Sequence, residues 1–220
     1  MNTKKSILIT RPEHDLTTRY LSKWSVEIVD EAKAKHNDVV DLQGDKATRV
    51  RFISTLEKRN PRFVFLNGHG DEHTVCGHDD DILLNEEDVA VQGKIVYARA
   101  CKSAKELGPK VIANGADAFV GYDEDFVFVR DPERESRPTT DSVAEMFLEP
   151  SNHTALSILR GNSVEEADRR SKQKFAMNIQ KLLLRGPHDD DYYAIRHLLW
   201  DMRHQVCLGN KKASIEGVAN

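Results

Sequence analysis

Two turns in this chain carry the residue types best suited to covalent chemistry. Asn67-Gly68-His69-Gly70 follows the apolar run Phe63-Val64-Phe65-Leu66, and Arg99-Ala100-Cys101 follows Lys94-Ile95-Val96-Tyr97-Ala98. A cysteine attacks well only as its thiolate, and imidazole is the usual base that exposes it. In an α/β sheet, ligands and catalytic groups gather outside the carboxyl ends of the strands. Neighbouring parallel strands would therefore bring His69 and Cys101 to one sheet edge. Gly70 has no side chain, so its N–H is free to turn inward beside the Cys101 N–H, where the two could bind a developing oxyanion. Taken singly, a turn histidine and a small buried cysteine would be the plainer reading; their placement at consecutive strand ends favours chemistry.

The loop after His69 offers a rival. It holds His69, Asp71, Glu72, His73, Cys76, His78 and Asp79 to Asp81, a composition suggestive of a zinc-binding hydrolase. The spacing matches no standard zinc module, and glycines break any helix that would present both His69 and His73. No metal and no cofactor are expected, and the segment reads as a solvated acidic loop. A third reading is a non-enzymatic partner-binding module, using the basic face of a late helix with Arg169, Arg170, Lys172, Lys174 and Lys181. Acidic residues interrupt that face, which is the pattern of an ordinary solvated surface.

The elements around these turns read as alternating strands and helices. Ile7 to Thr10 is a first buried strand, and Asp15 caps a helix with Leu16, Tyr20, Leu21 and Trp24 on one face. Val26, Ile28 and Val29 fit either the end of that helix or a short strand. Val39 to Leu42 is a strand, and Asp45 to Asn60 a helix ended by Pro61. Phe63 to Leu66 and Lys94 to Ala98 are continuous apolar runs, as a strand buried on both faces requires. Ile82 to Leu84 suits one arm of a hairpin, and a helix spans Ser103 to Asn114. Ala118 to Tyr122 and Phe126 to Val129 are two further strands. Arg130 to Thr140 is expected to be a mobile loop, Asp141 to Leu148 a short helix, and Ser163 to Glu166 a capping box opening a helix toward Leu184. The tail beyond it carries His188 to Asp191, then apolar stretches at Leu198 to Trp200 and Gln205 to Leu208. This alternation predicts an α/β fold, three-layered with a mostly parallel central sheet, built as a single domain over residues 1–220.

With 220 residues, 39% apolar and 31% charged, the chain can bury one sizeable core. Its formal charge of −4 speaks against a globally basic nucleic-acid binder. No apolar run approaches the roughly 18 residues of a membrane helix, and the amino-terminal apolar stretch is too short for a secretory signal. Three cysteines make no disulfide framework. A reduced, cytoplasmic protein is expected.

At the two turns the chain resembles the caspase-like cysteine peptidases. Leu66-Asn67-Gly68-His69-Gly70 and Ala98-Arg99-Ala100-Cys101-Lys102-Ser103-Ala104 are similar to the clan's two catalytic motifs. The bacterial CHAT branch is nearest, through Asn114-Gly115-Ala116-Asp117-Ala118-Phe119-Val120-Gly121-Tyr122 and Gly161-Asn162-Ser163-Val164-Glu165-Glu166-Ala167. The resemblance covers about Phe63 to Asn210. It implies Cys101 as nucleophile, His69 as base and then acid, a protein substrate, and a protein activator or loop rearrangement that switches activity on, in bacterial stress or antiviral defence. Where CHAT domains often have a tryptophan-containing turn, this chain has Asp123-Glu124-Asp125. Clan members that cut after aspartate converge arginines on that pocket; acidic Asp123 and Asp125 there predict lysine or arginine before the scissile bond.

Overall fold

The computed structural model describes residues 4–218; Met1 to Thr3, on which part of the amino-terminal signal reading falls, and the final two residues of the expected 1–220 domain lie outside them. A six-stranded sheet runs through the centre in the order β2-β1-β3-β6-β7-β8. Its strands are β1 (Ser6–Arg11), β2 (Asp38–Gln43), β3 (Phe63–Asn67), β6 (Ile95–Arg99), β7 (Ala118–Tyr122) and β8 (Gln205–Gly209). All pair in parallel except β8, which lies antiparallel to β7. The apolar runs alternate between two cores. Ile7, Ile9, Phe63, Phe65, Ile95 and Tyr97 face helices α1 (Leu16–Trp24), α2 (Val26–Ala34), α5 (Ser142–Leu159) and α6 (Val164–Arg185). Leu8, Val64, Leu66, Val96 and Ala98 face α3 (Arg49–Arg59) and α4 (Leu107–Ala113). Both sheet faces are covered, which is why β3 and β6 read as unbroken apolar runs. The fold is three-layered α/β/α with a mostly parallel sheet, as the sequence pattern predicts.

Several boundaries differ from the sequence reading, each for a physical reason. Val26 to Val29 belongs to a helix. The helix expected from Asp45 begins at Arg49, whose N–H donates to Asp81 Oδ2 at 2.7 Å. The one expected from Ser103 begins at Leu107, which places Pro109 in the first turn, where its missing N–H costs nothing. Phe126 to Val129 is not a strand, because β6 and β8 already occupy both edges of β7. The segment Arg130 to Thr140 is tethered: Trp24 Nε1 donates to Pro138 O at 3.0 Å, and Arg19 donates to Glu135 O. Ser163 accepts from the Glu166 N–H at 3.3 Å, but the Glu166 carboxylate turns to Arg169 and Arg170, so the capping box is half made. The tail contains α7 (Ala194–His204), whose Leu198 packs with Phe147, Phe175 and Leu182.

Helix α5 runs straight through Pro150 to Leu159 instead of stopping at Leu148. A proline inside a helix leaves the carbonyl four residues back without its donor. Here that carbonyl is Met146 O, and Asn178 Nδ2 from α6 supplies the missing bond at 2.9 Å. Packing between α5 and α6 thus overrides a local helix breaker.

Candidate active site

The register β3–β6 pairs Leu66 with Ala98 and Asn67 with Arg99. His69 and Cys101 each lie two residues beyond the last pair, so the two turns leave the sheet side by side. The glycines around His69 are required by close approach. Gly68 has φ +154°, and a Cβ there would fall 1.9 Å from Cys76 O. A Cβ at Gly70 would meet Ala100 Cβ at 2.9 Å, Thr74 O at 2.9 Å and Cys101 O at 3.2 Å. The His69 turn is therefore seated on the Cys101 turn with no room for a side chain between them. Among the described residues, neither the Gly70 nor the Cys101 N–H donates to another protein group, which leaves both available to an oxyanion.

A buried arginine couples the two strand ends. Arg99, fully buried, donates Nε to Asn67 Oδ1 at 2.9 Å and Nη2 to the same oxygen at 2.6 Å. It also reaches Asn152 Oδ1 (2.6 Å), Leu21 O (3.0 Å) and Ser25 Oγ (2.7 Å), with its guanidinium carbon 5.3 Å from the Phe65 ring centroid. Among the described residues no carboxylate touches it, and Glu27 is reached through Asn152 Nδ2, at 2.7 Å. Burial accordingly lowers the Arg99 pKa from its ordinary value. This residue has no role in the sequence reading, although an arginine closing a buried apolar strand is a visible signal.

His69 is oriented by a residue that the sequence identifies only as a helix cap. Asp15 does cap α1, with Oδ1 accepting from the Thr18 N–H at 2.7 Å. Its other oxygen, Oδ2, lies 2.5 Å from His69 Nε2. Partial burial alone would raise the Asp15 pKa, but the hydrogen bonds from His69 and Thr18 outweigh it and hold the group at about 2. A carboxylate fixing the imidazole ring, which in turn serves a nucleophile, is the logic of a triad. In this arrangement Cys101 Sγ donates to Phe126 O at 3.8 Å, and His69 and Cys101 are not hydrogen-bonded to each other among the described residues. Burial raises the Cys101 pKa, and the Asp125 carboxylate adds to the shift, so the resting sulfur is a thiol.

The acidic residues separate. Asp123 is engaged by His204 Nδ1 at 2.7 Å. Asp125 is exposed, influences the Cys101 thiol, and has Lys102 Nζ at 4.0 Å. In the loop after His69, the β4 (Thr74–Cys76) and β5 (Ile82–Asn85) strands form the expected hairpin. Several residues of the zinc reading are engaged elsewhere: His73 pairs with Glu86 at 2.9 Å, Glu72 with Lys105 at 2.7 Å, and Asp71 Oδ1 accepts from the His73 and Thr74 N–H groups. Cys76 lies beside Thr74 Oγ1 at 3.9 Å.

Helix α7 holds the segment after β7 against Cys101. Trp200 Nε1 donates to Asp125 O at 2.9 Å, and Asp201 Oδ1 accepts from the Val127 N–H at 3.0 Å. Asp201 is fully buried and its Oδ2 has no partner among the described residues, so burial raises its pKa far above the ordinary carboxylate value. A folded-state pKa above the unfolded one gives stability that is present at low pH and lost as pH rises through the folded value. Asp201→Asn keeps an acceptor for Val127 and removes the titration. The fall in Tm of the wild-type protein above about pH 4 should then be smaller in the variant, as thermal melts across a pH series would show; parallel curves would contradict a neutral buried Asp201.

The arrangement is that of a caspase-like α/β/α domain with a His turn and a Cys turn on adjacent parallel strands. Solved structures similar to it are the Arg-specific cysteine proteinase gingipain R, with TM-score 0.61 at 10% identity over 94% of this chain and 46% of that one, and the complex of RgpB pro- and mature domains from Porphyromonas gingivalis, with TM-score 0.58 at 9% identity over 94% and 47%. The chain thus spans about half the length of the structures it matches. No family model matches the sequence, and no curated protein does. Among the described residues, no helix is long and apolar enough to cross a membrane.

Proposed function

We propose that this chain is a cysteine endopeptidase in which Cys101 is the nucleophile and His69 the general base. The observation that carries the reading is the β3–β6 register, which seats the two turns together at the carboxyl edge of a fold shared with cysteine proteinases. The proton leaves Cys101 Sγ for His69 as the sulfur attacks the scissile carbonyl carbon. Gly70 and Cys101 N–H groups receive the oxyanion. Its collapse breaks the C–N bond, His69 returns the proton to the leaving amine, and a thioester remains. Water, deprotonated by His69, then attacks the thioester, and the released thiolate regains the proton. No step needs a cofactor.

In the resting geometry His69 bonds to Asp15 and Cys101 to Phe126, so substrate or a protein activator would have to draw the pair together. The proposal extends to regulated proteolysis by a CHAT-type enzyme in the cytoplasm, in a stress or defence setting, which rests on the sequence resemblance alone. The zinc hydrolase reading loses Asp71, Glu72 and His73 to the pairings described above. The activity test is hydrolysis of fluorogenic peptides, with a Cys101-directed peptide electrophile to report the thiolate. Specificity follows from charge: Asp125, exposed beside Cys101, suits lysine or arginine before the scissile bond, and the similar gingipain R is Arg-specific. Asp123, paired with His204, would contribute less. Asp125→Ala should lower kcat/KM for arginine peptides at least about tenfold while sparing an uncharged analogue. Cleavage after aspartate, or an unchanged basic preference in the Asp123→Ala Asp125→Ala double variant, would contradict it.

A further inference from the structure

Beside the His69 turn, the structure assembles a second group of donors. His14, on the segment between β1 and α1, places Nε2 3.5 Å from Asp80 Oδ1 and 3.9 Å from Asp15 Oδ2. One donor atom from each of His14, His69 and Asp80 lies within 4.8 Å of the other two. The His14 side chain is only 12% exposed, yet among the described residues neither of its ring nitrogens makes a hydrogen bond. The rings of His69 and His78 stand edge-on to it, with centroids 5.8 and 5.4 Å away. Burying both nitrogens of an imidazole without partners is costly, and native structures avoid it unless an ion or water completes the site. Two imidazoles and one carboxylate form the donor set of a divalent zinc site with an open position; calcium and magnesium prefer oxygen alone.

We propose that His14, His69 and Asp80 bind a zinc ion, and that the ion holds the His69 imidazole away from Cys101. Asp15, already bonded to His69, acts as the outer partner that holds a ligating histidine in place. Asp80 is 69% exposed, so the ion enters from the solvent side. Zinc then acts as a reversible brake. That consequence rests on the proposed peptidase function, whereas the binding does not.

Calorimetric titration of zinc chloride into the full chain tests the site directly. One ion per chain is expected, with affinity reduced at least about tenfold by His14→Gln and by Asp80→Asn, and unchanged by His73→Gln or Cys76→Ser. Asp80 lies outside the core, so its variant remains informative if His14→Gln fails to fold. Absence of binding, equal affinity in Asp80→Asn, or loss in His73→Gln would overturn the site. The second arm uses an arginine peptide. Zinc should silence the wild-type chain, a chelator should restore it, and Asp80→Asn should keep turning over at the zinc concentration that silences the wild type. Turnover undiminished at saturating zinc would overturn the brake. Zinc binding with no turnover in either zinc or chelator would leave the site standing and refute the peptidase reading, while turnover without zinc binding would do the reverse.

Discussion

Cys101→Ala and His69→Ala are each expected to reduce peptide hydrolysis by about 10⁴-fold or more, and the double variant to be scarcely worse than either. Residues that act as one unit lose their joint effect when either is removed. Neither substitution touches the core clusters, so far-ultraviolet circular dichroism and Tm should stay close to wild type. Cys76→Ala and Cys207→Ala should remain active. Burial raises both of those thiols, Cys207 to about 11, and neither has an imidazole within hydrogen-bonding reach among the described residues. Alkylation should silence the wild-type protein and reducing agents protect it, because the working thiolate is the oxidisable form. A dead Cys76→Ala beside a live Cys101→Ala would transfer the nucleophile to the hairpin loop. Additive losses in the double variant would mean that His69 and Cys101 act separately.

Arg99→Met is expected to be the most destabilising single change near the site. Removing the guanidinium leaves Asn67 Oδ1 and Asn152 Oδ1 buried without their shared donor, while Leu21 O keeps the Ser25 N–H and hydroxyl. Leaving buried acceptors unsatisfied costs about 1–3 kcal/mol each, which for two of them in a chain of this size lowers Tm by about 10 °C. The effect should extend to function, since Asn67 and Arg99 are the last register pair before the His69 and Cys101 turns. Combining Arg99→Met with Asn67→Leu removes the main orphaned acceptor with its donor, so the double variant should lose less than the sum of the two single losses. Chemical denaturation of the four proteins gives the coupling. An Arg99→Met protein as stable as wild type would show that the cluster does not hold the strand ends together.

The candidate site was legible in part because its main features are local. Apolar runs buried on both faces announce β3, β6 and β7, and each of the first two ends on a turn whose residues differ in kind from the strand before it. Glycine beside His69 signals a close backbone approach, and the structure shows Ala100 and Cys101 in the space a side chain would need. The α/β/α fold follows from the same alternation of elements. The Phe126–Val129 run misleads because its composition suits a strand; only the sheet order shows that β7 has no free edge. Pro150 misleads in the opposite direction, since the donor that rescues α5 comes from Asn178, far along the chain.

The sequence by itself determined the buried parallel strands β1, β3, β6 and β7, which turns leave them, and that an imidazole and a thiol stand at the ends of two of those strands. Those properties depend on neighbours within a few residues: side-chain alternation, turn chemistry and the absence of competing polar groups. The tertiary structure alone decided what holds the histidine and what ties the strands. Asp15 reaches His69 across 54 residues, and Arg99 reaches Asn67 across 32 and Asn152 across 53. His14 and Asp80 meet in the same way. A carboxylate that caps a helix has a second oxygen whose partner no local pattern encodes. That partner is set by where the packed layers bring α1 against the end of β3.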